Sequence, residues 1–245
     1  MSLSSIIHSY EQAVHRADDP MLLQNNSCVW IISGRRGAGK SSLLLSVLGS
    51  ERAWKHRFDN IFFVSPTASL DRKFGDLVSE LERDGKYSDS MSEAFIDSIF
   101  ERVQYDNQRA SEHPNPKHRT SRHLLVLDDV AVDLSKSNSA LLNRMVIQSR
   151  HHKLSIVILT QKYMVIPPII RANADLISYF PSLNSREIAG MQDDMNIDKR
   201  IFGQIYRVAT SDPHSFLHAN LLAFPPKFYK NFDPIQVDIT PSLVV

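Results

Sequence analysis

The chain has 245 residues, of which 42% are hydrophobic, and a formal net charge of +1 at pH 7. This length and composition allow one substantial core, and the near-zero charge excludes a protein that holds nucleic acid through overall positive charge. The single cysteine, Cys28, excludes an intramolecular disulfide and a cysteine zinc site, which suits a reducing compartment.

An amphipathic helix is the first predicted element, and it must end before Pro20. We assign residues 1–26 to this N-terminal extension, 27–223 to one core and 224–245 to a tail that contains prolines and has little periodicity. No apolar run approaches the roughly 18 to 20 residues that span a bilayer. We therefore expect a soluble, cytoplasmic protein that is not itself transmembrane.

The stretch CVWIISGRRGAGKSSLLLSVLG, residues 28–49, predicts a strand, a glycine-rich loop and a helix. Its loop matches G-x-x-x-x-G-K-[ST] from Gly34 to Ser41. Glycines let backbone N–H groups converge on a polyphosphate, and the helix dipole adds to the attraction. We expect ATP to bind the whole loop: Gly34, Arg35, Arg36, Gly37, Ala38, Gly39, Lys40, Ser41 and Ser42.

Two residues of this loop have predicted chemical roles. Lys40 would reach the β- and γ-phosphates, and the Ser41 hydroxyl would ligate Mg²⁺. The alternative is a strand-turn-helix connection with a solvated lysine, but the buried strand and the apolar helix face favour the phosphate loop. Arg35 and Arg36 could touch phosphate or lie exposed.

The next predicted strand, residues 60–66, precedes a mostly polar segment with one striped helix, and a basic loop follows at 109–123. That loop contains two prolines, four Arg or Lys and three His against one Glu. Either it is solvated, or it contacts a polyanion.

Paired acids end the strand at 123–130. Asp128 is the predicted Mg²⁺ ligand, and Asp129 is the candidate to orient or deprotonate an attacking water. Acids also end strands simply because the chain reaches solvent, but the phosphate loop favours the metal role.

Gln161 follows the next buried strand, and Arg150 precedes that strand. The amide could sense the γ-phosphate or bond a nearby turn, and the arginine could be a catalytic cation or a helix C-terminal charge. Further strands are predicted at 175–180 and 215–222, with helices between them. Strands that alternate with helices predict an α/β, three-layer P-loop NTPase sandwich with a mainly parallel sheet.

Three segments carry a family resemblance: GRRGAGKSS, LLVLDDV and QSRHHKLSIVILTQKYMVIPPIIRANADLISYF. Together they resemble the FtsK–HerA superfamily of ring-forming DNA pumps, and most closely the genome-packaging ATPases of poxviruses, other large nucleocytoplasmic DNA viruses and virophages. The resemblance covers about residues 28 to 222, and its most specific parts are Arg-x10-Gln and PPIIRAN.

The resemblance implies an additional-strand core, in which the Gln161 strand lies between the Gly34 strand and the Asp128 strand. It also implies Arg150 as a finger that enters the neighbouring subunit's site, with Arg171 as the runner-up. Asp129 stands where many members carry Glu, and the shorter side chain weakens the water-activating assignment.

The implied function is an ATP-hydrolysing translocase that packages viral double-stranded DNA as a homo-oligomeric ring, a hexamer or pentamer. Its partners would be DNA, held by the basic loop, and a capsid or membrane-associated virion component in the host cytoplasm. No zinc is expected.

Three other classes share the phosphate loop. A nucleotide kinase has no reason to carry the Arg-x10-Gln element, and a GTPase would need Asn-Lys-x-Asp where this chain has TQKY. A non-catalytic NTP-binding scaffold stays an alternative, although every expected catalytic position is filled.

Overall fold

The computed structural model describes residues 27–51, 53–71, 73–115, 121–129, 136–223 and 226–236. The predicted N-terminal helix, residues 116–120 of the basic loop and the end of the tail at 237–245 lie outside the described residues. Within the described part, no helix combines the length and apolar character needed to cross a membrane.

Nine strands of the described residues form one sheet. In chain order they are β1 (Val29–Ser33), β2 (Asn60–Val64), β3 (Tyr87–Ser88), β4 (His123–Asp128), β5 (Leu154–Thr160), β6 (Leu176–Tyr179), β7 (Leu217–Asn220), β8 (Lys227–Lys230) and β9 (Asp233–Pro234). Their order across the sheet is β3-β2-β4-β5-β1-β6-β7-β8-β9. The first six strands are parallel, and β7 to β9 continue the sheet antiparallel.

Helices cover both faces of the sheet. They are α1 (Lys40–Gly49), α2 (Gly75–Arg83), α3 (Glu93–Ser111), α4 (Lys136–His152), α5 (Pro168–Ala172), α6 (Ser185–Met195) and α7 (Lys199–Ala209). Short 3-10 turns lie at Ala68–Leu70 and Tyr163–Val165.

The central strands are buried on both faces, which is why they read as nearly continuous apolar runs. In β1, Val29 and Ile31 pack on the side of α3, α4, α6 and α7, while Trp30 and Ile32 pack on the side of α1 and α2. The three-layer α/β prediction is confirmed.

The strand order also confirms what the family resemblance implied. β5 lies between β1 and β4, and its residues are in register with both neighbours: Ile158 is opposite Ile31 on one side and Leu127 on the other. The carboxyl ends of β1, β4 and β5 therefore meet at one edge of the sheet.

Part of the segment that we assigned to the tail belongs to the sheet. β8 pairs with β7, and β9 pairs with β8. Three aromatic side chains of this hairpin are buried in the hydrophobic clusters on the two faces of the sheet: Phe228 on one face, and Tyr229 and Phe232 on the other. The sheet thus continues past residue 223, and the domain boundary there stays a prediction.

Candidate active site

The predicted phosphate loop joins β1 to α1 at the carboxyl edge of the sheet. Gly37 and Gly39 have φ of 76° and 116°, which lie in the region that suits glycine. The Gly34 N–H donates to the Thr160 carbonyl of β5 at 3.1 Å, so the start of the loop is tied to the neighbouring strand. Arg35 and Arg36 are exposed.

Lys40 points back over the loop from the first turn of α1. Its Nζ donates to the carbonyls of Gly34 at 2.8 Å and Arg35 at 3.4 Å. Burial lowers the pKa of Lys40, while the charges of Asp129 and Asp128 act in the opposite direction. The lysine is therefore held inside the cradle by polar atoms that a phosphate oxygen could replace.

Asp128 ends β4 beside this loop and is buried, with 7% of its surface exposed. The Ser65 hydroxyl, just past β2, donates to Asp128 Oδ2 at 3.2 Å. Burial, and then the charge of Asp129, raise the pKa of the Asp128 carboxyl to about 6. Asp128 forms no ion pair with any described residue, so its electrostatic environment suits a cation.

Asp129, just past β4, and Gln161, just past the adjacent strand β5, are hydrogen-bonded to each other. Asp129 has φ of 51°, its N–H donates to the Leu159 carbonyl, and Gln161 Nε2 donates to Asp129 Oδ2 at 3.0 Å. This bond leaves Asp129 Oδ1 and the side-chain oxygen of Gln161, Oε1, available to a water molecule. Gln161 is exposed, so this contact faces the solvent-open edge of the sheet.

The residue types fit a magnesium ion. The Ser41 hydroxyl in the first turn of α1 and the buried Asp128 carboxylate are hard oxygen donors, which Mg²⁺ prefers. Such an ion usually keeps several waters and takes phosphate oxygens as its other ligands.

Arg150 lies away from this edge. It is in the last turn of α4, and its Nη2 donates to Asp175 Oδ1 at 2.7 Å. The other Asp175 oxygen accepts the Val29 N–H at 2.8 Å, which places the ion pair at the amino edge of the sheet. The length of β5, about 20 Å at roughly 3.3 Å per residue, separates this edge from Gln161.

Arg171, the runner-up for the finger, is buried and has local partners. Its Nε donates to Asp194 at 2.7 Å, and its Nη1 donates to the Ile166 carbonyl at 2.6 Å. The guanidinium also lies over the Tyr163 ring. In this conformation it is unavailable to a neighbouring subunit.

Three further polar residues reach the loop or its acidic partner, and none of them was among the predicted site residues. Ser65 holds Asp128, Lys73 Nζ is 3.4 Å from the Ser42 hydroxyl, and His214 Nδ1 is 3.1 Å from the Ala38 carbonyl. Ser65 had a detectable signal, because it follows a buried parallel strand and so lies at the same edge as Asp128. Lys73 and His214 lie in loops whose sequence carries no such signal.

The sequence profile of the family described as Poxvirus A32 protein matches residues 18–211. The chain belongs to the poxvirus A32 protein family. This match confirms the predicted resemblance, and it includes the phosphate loop, the paired acids and the Arg150 to Gln161 element of this A32 family member. No curated protein sequence matches the chain significantly.

Solved structures share the fold of this A32 family member. The DNA-packaging ATPase B204 from Sulfolobus turreted icosahedral virus superposes with a TM-score of 0.57 at 17% identity, covering 86% of this chain and 100% of that chain. The genome-packaging NTPase B204 from Sulfolobus turreted icosahedral virus 2, in complex with AMPPCP, gives a TM-score of 0.54 at 17% identity with the same coverage.

Proposed function

We propose that this chain is a Mg²⁺-dependent ATPase that packages viral double-stranded DNA into a capsid as a homo-oligomeric ring. One observation carries the proposal: a phosphate loop with an inward lysine, a buried strand-end aspartate and an Asp129–Gln161 pair share one sheet edge. Membership of the poxvirus A32 protein family and a fold shared with viral packaging ATPases support it.

The loop residues 34–42 would hold the nucleotide. Their amides and the dipole of α1 favour the phosphates, and Lys40 would exchange its carbonyl partners for β- and γ-phosphate oxygens. Ser41 and Asp128 would hold Mg²⁺, which supplies charge neutralisation at the transferring phosphoryl group. Ser65 fixes the Asp128 carboxylate for that purpose.

Asp129 and Gln161 would handle the attacking water. A carboxylate accepts a proton from the water, while the amide orients it, and their mutual hydrogen bond restricts both side chains. Arg150 would act on the nucleotide of the neighbouring subunit, because the nucleotide of its own subunit lies at the opposite edge of the sheet.

The viral packaging role sets the proposed partners and location. The ring, a hexamer or pentamer, would act on DNA in the host cytoplasm and dock on a capsid or membrane-associated virion component. Hydrolysis at interfaces between subunits would couple ATP turnover to ring assembly.

The first prediction is that Lys40→Ala abolishes hydrolysis. Loss of one preorganised charge at the transferring phosphate should lower turnover by roughly 10²- to 10³-fold or more. The exposed Lys199→Ala is the matched control and should retain wild-type turnover. Steady-state phosphate release at saturating ATP and Mg²⁺ measures both, and near-wild-type turnover of Lys40→Ala would remove the site assignment.

The same assay separates the proposed function from its alternatives. Linear duplex DNA should raise the rate of ATP hydrolysis. Stimulation by a nucleoside monophosphate with transfer of phosphate to it would indicate a kinase instead, and ATP binding without turnover would indicate a scaffold.

A further inference from the structure

A polar cavity of about 570 Å³ opens at the amino edge of the sheet. Its walls come from the segment before β2, the segment before β4 and the second half of α3. Asn60, the first residue of β2, and Ser121, two residues before β4, are buried members of its lining. β4 separates this edge from Asp128 by about 17 Å at roughly 3.3 Å per residue, so the cavity is distinct from the nucleotide site.

The cavity is strongly cationic. Four arginines line it against two carboxylates, and two histidines add to the lining: Arg57, Arg102, Arg109, Arg122, Asp59, Asp106, His56 and His113. These side chains come from three separate segments of the chain. A single run of basic residues in one helix or loop therefore does not explain the clustering.

Both carboxylates are already engaged. Asp59 Oδ2 accepts the Arg122 N–H at 2.7 Å and the Ser121 hydroxyl at 3.2 Å. Asp106 Oδ2 accepts Arg102 Nε at 2.9 Å and Asn60 Nδ2 at 2.8 Å.

Four arginines against two carboxylates leave positive charge in excess at the cavity. Among the described residues, no ion pair joins the guanidinium group of Arg109 or Arg122 to a carboxylate. Burial, and then the nearby charge of Arg122, lower the pKa of Arg57, as expected where cations are crowded together. Such crowding costs free energy in the isolated chain, and a bound anion would remove that cost.

We propose that this cavity binds backbone phosphates of duplex DNA. Arginine suits a phosphate because its planar fork can donate two hydrogen bonds at once. Phosphate contacts carry no base information, so a cavity of this kind grips DNA of any sequence, as a packaging ring requires. The inference rests on the proposed function, and it gives a location to the DNA contact that the sequence assigned only to residues 109–123.

The test compares two double variants with equal loss of charge. Arg109→Ser/Arg122→Ser removes the two arginines without described ion pairs, and the main-chain bond from residue 122 to Asp59 can persist. The control is Arg83→Ser/Arg207→Ser, since each of these arginines donates only to a carbonyl of its own helix among the described residues. Binding of a labelled 40-base-pair duplex is measured across a salt series, and ATP hydrolysis is measured without DNA.

The cavity variant should show a salt dependence that is shallower by about 1.8 in log Kd against log salt, because each lost phosphate contact contributes about 0.9. Its DNA-free hydrolysis should match wild type, and the control should keep the wild-type slope. An unchanged slope in the cavity variant overturns the inference and leaves the proposed function standing. Wild-type protein that hydrolyses ATP but binds no DNA overturns both.

Inorganic phosphate distinguishes DNA from a small anion. If millimolar phosphate at constant ionic strength raises the Tm of wild type more than that of the cavity variant, which keeps the phosphate loop, while the DNA salt slope is the same in both, the cavity serves free phosphate and the DNA inference is wrong. A reduced slope together with such a Tm difference supports DNA phosphates as the ligand.

Discussion

At the residue scale, His218 on β7 is a buried histidine whose charge the core cannot accommodate. Its Nδ1 is 2.8 Å from the Ser178 hydroxyl, and the rings of Trp30, Tyr229 and Phe232 pack around it. Nε2 has no hydrogen-bond partner among the described residues. Burial lowers the pKa of His218 to about 3.

This burial makes the fold sensitive to acid. The ordinary pKa of histidine is about 6.5, so between about pH 6.5 and about pH 3 the unfolded chain binds a proton that the folded protein does not. The free energy of unfolding should therefore fall as pH falls, by up to about 1.4 kcal/mol per pH unit from this group. Above about pH 6.5 this histidine is neutral in both the folded and the unfolded chain, so it no longer lowers the free energy of unfolding.

We predict that His218→Gln flattens this pH dependence. The variant should be less stable than wild type at about pH 8, because the surrounding rings lose contacts, but it should lose less stability between about pH 6 and about pH 4.5. Urea unfolding at these pH values measures the difference. The exposed His151→Gln should keep the wild-type dependence, and an equal dependence in His218→Gln would show that other groups cause the acid sensitivity.

At the element scale, the contact between β1 and β6 explains why the phosphate loop begins with glycine. The Phe180 N–H, just after β6, donates to the Ser33 carbonyl at 2.9 Å. A Cβ on Gly34 would lie 2.6 Å from the Cβ of Phe180, an atom fixed to the backbone. One of the two strands would have to move to accept it.

Gly34→Ala should therefore destabilise the protein by about 1–3 kcal/mol, the usual cost of overpacking, and weaken nucleotide binding because the loop is displaced. Gly49→Ala at the end of α1 is the matched control, since a Cβ there meets nothing within 4 Å, and it should be neutral or slightly stabilising. Thermal unfolding with and without an ATP analogue measures both effects. Wild-type stability of Gly34→Ala would mean that β6 yields easily at this point.

At the scale of the whole molecule, we predict that Arg150 of one subunit completes the active site of its neighbour. Its side chain is 67% exposed although it is paired with the buried Asp175, so the guanidinium is accessible at the amino edge of the sheet. An arginine supplied to a phosphoryl-transfer site by a neighbour can contribute about 10³ to 10⁵ in rate.

The expected result is that Arg150→Ala and Lys40→Ala are each inactive alone but regain partial hydrolysis when mixed. Mixed rings contain interfaces that join an intact loop to an intact arginine. Steady-state hydrolysis after subunit exchange measures the recovery, and size-exclusion chromatography checks that both variants assemble. A mixture that assembles but stays inactive would show that Arg150 works in its own subunit or is structural, and Arg171 would become the next candidate.

The phosphate loop, the buried strands and the acids that end β4 could be predicted from residues alone. Each depends on preferences that act over a few neighbouring positions: glycine accepts positive φ, a doubly covered strand must be apolar, and a chain that leaves the sheet becomes polar. The order of the strands could not be predicted in this way and came from the family resemblance. Strands that are buried on both faces look alike in sequence, so nothing in their pattern says which of them are neighbours.

The tertiary structure alone decided which distant side chains meet. The Asp129–Gln161 bond depends on β5 lying beside β4, and the hydroxyl of Ser65 reaches Asp128 because β2 is the other neighbour of β4. The Arg150–Asp175 pair and the arginine cavity likewise join segments that are far apart in the chain. The sequence by itself determined the chemical groups and the strand ends that carry them. Their partners required the tertiary structure, because a contact between distant residues is set by how the strands are ordered and not by the local pattern around either residue.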